Sequence, residues 1–105
     1  MSVLMSYAMF PTDKGSSVSE FVSKIVKMVS ESGYDYKLTA MGTVVETETL
    51  EQALDIVSKS YKVLEPHSER VYSTVTFDIQ TNKPIGRIKG KIKSIEDKIG
   101  PVNWA

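Results

Sequence analysis

The segment Lys37–Thr47, KLTAMGTVVET, sets hydroxyls and a carboxylate where a plain core strand would carry valines. Thr39, Thr43 and Thr47 recur around a Met41-Gly42 pair, and Glu46 stands beside the last of them. Hydroxyls both donate and accept, so Thr39 and Thr43 could orient a polar ring. Met41 would add an adaptable apolar contact. Glu46 would meet a cation or an amino group through a charge-assisted hydrogen bond. A second reading is as simple: threonine is a good strand former, and these are ordinary residues of a half-buried sheet. The residues alone leave both open.

Little else in the chain suggests chemistry. His67 is the only histidine and sits in a loop context, EPHSE. There is no cysteine, which removes thiolate zinc sites, disulfides and cysteine nucleophiles. No metal-ligand spacing, nucleophile elbow or phosphate-binding loop occurs. The loop PTDKGSS offers Lys14 where an acylphosphatase would need an arginine to cradle phosphate. The expectation is therefore no catalytic residue, no metal and no cofactor. A small cofactor-independent enzyme would have to draw its base from His67, Glu46 or Asp78. Arg87, Lys89, Lys91 and Lys93 form a basic row that could touch phosphates. Glu46, Glu48, Glu51 and Asp55 balance it, and the 13 basic and 13 acidic side chains cancel. Nucleic acid and anionic membrane are not expected partners.

The elements that must position these groups are legible in the hydropathy pattern. The 105 residues suffice for one domain, spanning 1–105. SVLMSYAMFP reads as a strand apolar on both faces, with Val3, Met5, Tyr7 and Met9 on one side and Leu4, Ser6, Ala8 and Phe10 on the other. Ser17 and Glu20 have capping-box spacing and open a helix along Val18, Phe21, Val22, Ile25 and Val29, with a stop at Gly33. YDYKLTA and TVVET form a hairpin about Met41-Gly42, with glycine serving a type II turn. That hairpin sets Thr39 and Thr43 nearly opposite each other and sends Glu46 to the other face.

Thr49 and Gln52 give a second capping box, followed by a stripe of Leu50, Ala53, Leu54, Val57, Tyr61 and Leu64. RVYSTVTFDIQT alternates as a long strand. Ile85, Ile88, Ile92, Ile95 and Ile99 then mark an amphipathic helix. The order βαββαβ plus a last helix predicts an α+β ferredoxin-like sandwich with a four-stranded antiparallel sheet. Its two helices cover one sheet face only. Because the first strand is apolar on both faces, a second copy is expected against the open face, with the last helix extending the contact.

The order of YAMFPTDKGSSVSEFV, YKLTAMGTVVET, the acidic second helix and HSERVYSTVTFDIQT resembles the small thiamine-binding protein family, and is similar to the repeated domain of the YkoF thiamine-pathway protein. The resemblance runs from Val3 to Ile99, and MGTVVE is its most distinctive piece. It implies sheet-packed dimers forming a dimer of dimers, and non-enzymatic binding of thiamine or its hydroxymethylpyrimidine moiety. Position by position it implicates Ser6, Thr39, Gly42, Thr43 and Glu46, to which the residue chemistry adds Met41. The alternative is a ligand-free structural or regulatory homo-oligomer. The chain shows no apolar run long enough to span a bilayer and no basic leader before its first apolar residues, so a cytoplasmic location is expected.

Overall fold

A computed structural model describes residues 1–104. The elements in chain order are β1 (Ser2–Pro11), a 3-10 turn (Gly15–Ser17), α1 (Val18–Glu31), β2 (Asp35–Thr39), β3 (Gly42–Thr47), α2 (Leu50–Leu64), β4 (Val71–Gln80) and α3 (Arg87–Ile99). The strands form one antiparallel sheet in the order β2-β3-β1-β4. This is the ferredoxin-like α+β arrangement with a third helix at its end.

Alternation along β1 decides where the core lies. Val3, Met5, Tyr7 and Met9 are buried with Val45 of β3, Ile25 and Val29 of α1, and Ala53, Ile56 and Leu64 of α2. Fully burying side chains such as Met5 or Ile56 contributes roughly 1.5–3 kcal/mol each. α2 begins with the expected capping box: Thr49 Oγ1 accepts from the Gln52 N–H at 3.2 Å, and Gln52 Oε1 accepts from the Thr49 N–H at 3.2 Å.

Three expectations about local structure are corrected. Ser17 does not cap α1, because its backbone (φ −87°, ψ 13°) continues the 3-10 turn instead of turning outward, and its side chain makes no capping bond. α2 is rotated relative to the predicted stripe: it buries Ala53, Ile56, Ser60 and Leu64, and leaves Leu54 and Tyr61 exposed. The rotation is explained by a polar contact. The Ser60 hydroxyl lies 2.9 Å from the Tyr7 hydroxyl and donates to the Ile56 carbonyl, so a serine takes a core position. Ile85 lies outside α3, which starts at Arg87.

The hairpin turn is also placed one residue earlier than predicted. Thr39 pairs with Gly42 and Leu38 with Thr43, so Ala40 and Met41 occupy the loop. Thr39 and Thr43 therefore point to opposite faces of the sheet.

The second sheet face carries Leu4, Ser6, Ala8 and Phe10 of β1 beside Val44 of β3 and Tyr72, Thr74 and Thr76 of β4. α3 meets the sheet only near its own start. Ile88 is buried, Ile92 is half-buried, and the seam then leaves the molecule, with Ile99 73% exposed. The radius of gyration is 14.9 Å, against about 13 Å for a compact chain of this length.

Gly42 fixes the approach of β3 to β1. It adopts φ +152°, and a Cβ there would lie 2.7 Å from the Tyr7 carbonyl oxygen. Backbone cannot retreat as a flexible side chain can. Gly42→Ala is expected to lower stability by about 1–3 kcal/mol, the usual cost of overpacking and of alanine at positive φ, read from the midpoint of urea unfolding.

Candidate functional site

The β1–β3 register sorts the predicted site residues. Tyr7 pairs with Thr43, Ser6 with Val44, and Leu4 with Glu46. Directly opposed residues share a face, and successive residues alternate. Thr43 is thus on the helix side with Tyr7, whereas Ser6 and Glu46 are on the open side. The structure brings Thr39, Met41, Gly42 and Thr43 together and places Ser6 and Glu46 in two other locations.

The four hairpin residues line a cleft of about 320 Å³ between the hairpin, β1 and the first half of α1. Val18, Val22, Ile25 and Val26 form the helix wall, and Tyr7 to Phe10 form the floor. Short branched side chains on α1 leave this space unfilled. Thr43 is only 6% exposed. Among the described residues its hydroxyl has no hydrogen-bond partner, while the neighbouring Tyr7 hydroxyl is taken by Ser60. Burial raises the Tyr7 pKa against the opposing effect of Ser60, so that phenol stays protonated.

Thr39 uses its hydroxyl within the turn, donating to the Gly42 carbonyl at 2.9 Å and accepting from the Met41 N–H at 3.2 Å. Met41 projects from the hairpin tip, 90% exposed, at the mouth of the cleft. Among the described residues no carboxylate, histidine or cationic side chain lines this cleft.

Ser6 is exposed on the open face, in a shallow hollow of about 220 Å³ with Leu4, Val44, Thr76, Asp78 and Lys91. His67 touches none of these places; its ring lies 5.5 Å from that of Phe21. The PTDK loop is tied down locally. Asp13 accepts from the Ser68 hydroxyl and the Glu69 N–H, and Thr12 bonds to Arg70.

Glu46 has a structural assignment that sequence reasoning missed. It is 4% exposed. Its carboxylate accepts from the Ser2 hydroxyl, from the Gly86 N–H at 3.0 Å and from the Arg87 N–H at 3.1 Å. It thereby satisfies the unpaired donors at the start of α3, where a negative charge is also favoured by the helix dipole. Gly86 permits this geometry with φ +112° at the N-cap.

Arg87 closes the knot. It donates from Nε to Ser2 Oγ at 3.0 Å and from Nη2 to the carbonyls of Ser2 and Asp78. Its Nη1 lies 3.3 Å from Asp78 Oδ2, an ion pair without hydrogen-bond geometry. Gly86, between the first two isoleucines of the seam, was the one available sign of this anchor.

Burial alone would push the Glu46 carboxyl up, but the bonds from Ser2, Arg87 and Gly86 together outweigh it and hold the group below its ordinary 4.5. A depressed folded pKa adds stability that is present above 4.5 and lost as pH falls through the folded value. Asp78, lowered chiefly by its bond from Lys91, acts in the same direction, as does Asp13, lowered chiefly by Ser68. Glu46→Gln is therefore expected to lower stability at neutral pH and to flatten, without abolishing, the loss of stability on acidification. Urea unfolding from pH 7 to pH 3, as order-of-magnitude bounds on that window, checks it; an unchanged slope would contradict the assignment.

The sequence profile of the thiamine-binding protein family matches residues 5–96. The chain is 31% identical over 99 residues to a UPF0045 protein of Methanocaldococcus jannaschii, covering 89% of this chain and 91% of that one. It is 29% identical over 85 residues to a UPF0045 protein of Methanothermobacter thermautotrophicus, covering 80% and 85%. The solved structure of the M. jannaschii protein superposes with a TM-score of 0.78 at 29% identity, covering 91% of this chain and 97% of that one. A Thermotoga maritima protein provisionally assigned to thiamine biosynthesis or salvage shares the fold at 21% identity, with a TM-score of 0.74 over 87% and 97%. With nearly its whole length matched by the profile and by these relatives, the chain belongs to the thiamine-binding protein family.

Proposed function

We propose that this protein is a non-enzymatic, cytoplasmic, homo-oligomeric binder of thiamine or of its hydroxymethylpyrimidine moiety. The observation that carries the reading is the cleft at the hairpin, with apolar walls and the uncommitted Thr43 hydroxyl. Its size is at the small end of ligand sites, which commonly run from about 300 to 1,000 Å³. An aminopyrimidine is flat, mostly apolar on its faces and able both to donate and to accept at its edge. Thr43 supplies a partner for that edge, and Gly42 and Thr39 hold the strand turn that presents it. Met41 covers the mouth.

The cleft lacks a carboxylate for the cationic thiazolium, because Glu46 is spent on α3. The pyrimidine half is accordingly the part recognised, and the thiazolium is directed outward. The open sheet face, bearing Ser6, and the exposed end of the α3 seam pack against a second copy. No helix of the described residues is long and apolar enough to cross a membrane.

Thermal unfolding in the presence of thiamine, of hydroxymethylpyrimidine and of the thiazole half separates the alternatives. Thiamine and the pyrimidine should each raise Tm by several degrees at saturating ligand, because ligand at 100 times Kd adds about 2.7 kcal/mol. The thiazole half should not. Thr43→Val keeps the shape of the side chain, and should fold normally and lose the response. No shift at roughly millimolar ligand, or an undiminished shift in Thr43→Val, would favour the ligand-free structural reading.

A further inference from the structure

α3 begins beside a second hollow, of about 340 Å³, which shares no lining residue with the hairpin cleft. Lys83, from the loop after β4, stands at it with Arg87 and Lys91 of α3, and among the described residues no carboxylate lines it. Two members of the basic row read from the sequence thus meet a third cation at one place, while Lys89 and Lys93 lie outside it. Arg87, Gly90, Lys91 and Ser94 follow one another at helical spacing and so share a helix face. Glycine weakens a helix interior. At Gly90 it leaves the wall of the hollow bare, and a Cβ there would meet no atom within 4 Å.

The charges around this hollow do not balance. Asp78 is the only carboxylate paired with any of the three cations, and a single oxygen serves two of them: Oδ2 lies 3.3 Å from Arg87 Nη1 and 3.1 Å from Lys91 Nζ. Lys83 is exposed and has no acidic partner among the described residues. Glu46 is turned to the N–H groups of Gly86 and Arg87 and lines a separate hollow. Three cations therefore share one paired carboxylate, and two positive charges are left over. Arg87 is only 7% exposed, yet its Nη1 makes no hydrogen bond. A buried donor left in that state is uncommon and costly.

We propose that this hollow binds a small phosphate monoester. The phosphoryl group of a monoester carries nearly two negative charges at neutral pH and three strong acceptor oxygens. It matches the two unbalanced charges, with Lys83 and Lys91 as adjustable point-charge donors and the Gln80 amide as a neutral one. A phosphodiester brings one charge per phosphate, so a nucleic-acid backbone fits less well. Pro84 and Ile85 offer an apolar wall to the organic part of the ester.

Inorganic phosphate and phenyl phosphate, titrated at constant ionic strength into isotope-labelled protein, test the proposal. Phenyl phosphate should saturate and bind the tighter of the two. Its amide shifts should gather at Gly86, Gly90, Lys91 and Ser94 and spare Thr43. Lys83→Ala should weaken phenyl phosphate roughly tenfold, the loss of one charge-assisted hydrogen bond. Gly90→Leu sets a side chain in the hollow and should abolish binding with circular dichroism unchanged. Lys98→Ala removes the same charge near the far end of α3 and should change nothing. Equal responses of Lys83→Ala and Lys98→Ala, or a titration that never saturates, would overturn the site. Inorganic phosphate binding as tightly as phenyl phosphate would overturn the assignment to a monoester. Because the two cavities are separate, the pyrimidine response at Thr43 can fail or succeed without altering this result.

Discussion

The pairing of β1 with β3 decides what every polar group in this molecule can do. Tyr7 opposes Thr43 and Leu4 opposes Glu46, and with a period of two these pairs lie on opposite faces. A shift by one residue would exchange the faces of the hydroxyl and the carboxylate. The close passage of the Gly42 backbone over the Tyr7 carbonyl helps hold the register, because no side chain fits there. From this one alignment follow a threonine on the wall of an apolar cleft and a carboxylate directed at the start of α3.

The Glu46 knot has its own consequence for shape. Ser2 and Glu46 from two strands and Arg87 from α3 satisfy one another almost completely in a buried place. Losing one member would strand the others, and an unpaired buried charge costs several kcal/mol, on the order of 3–5. α3 is therefore held firmly at its first turn and scarcely elsewhere. Its later isoleucines, Ile95 and Ile99, are exposed.

Much of the fold was legible because it rests on strong, local periodicity. β1 is a near-continuous apolar run, β4 alternates plainly, α1 carries its stripe, and Thr49 with Gln52 forms the box its spacing promises. The misreadings have physical causes. α2 offers two plausible stripes, and only the tertiary bond between Ser60 and Tyr7 selects the one containing a serine. Ser17 has the right neighbour for a capping box but the wrong backbone, since the preceding 3-10 turn runs straight into α1. At the site, the hairpin itself is a local matter and was legible, but the one-residue shift of its turn, which puts Thr39 and Thr43 on opposite faces, was not. The fate of Glu46 depends on a helix 40 residues away in the chain, and no local pattern encodes that meeting.

The central claim is that the hairpin cleft takes the pyrimidine ring at Thr43. Backbone amide shifts of isotope-labelled protein, followed during titration with hydroxymethylpyrimidine, test it most directly. Changes concentrated at Gly42, Thr43, Val22 and Val26 are the predicted result. Changes confined to the hollow at Ser6 and Asp78 or to the rest of the open sheet face, or no changes at all, would contradict it.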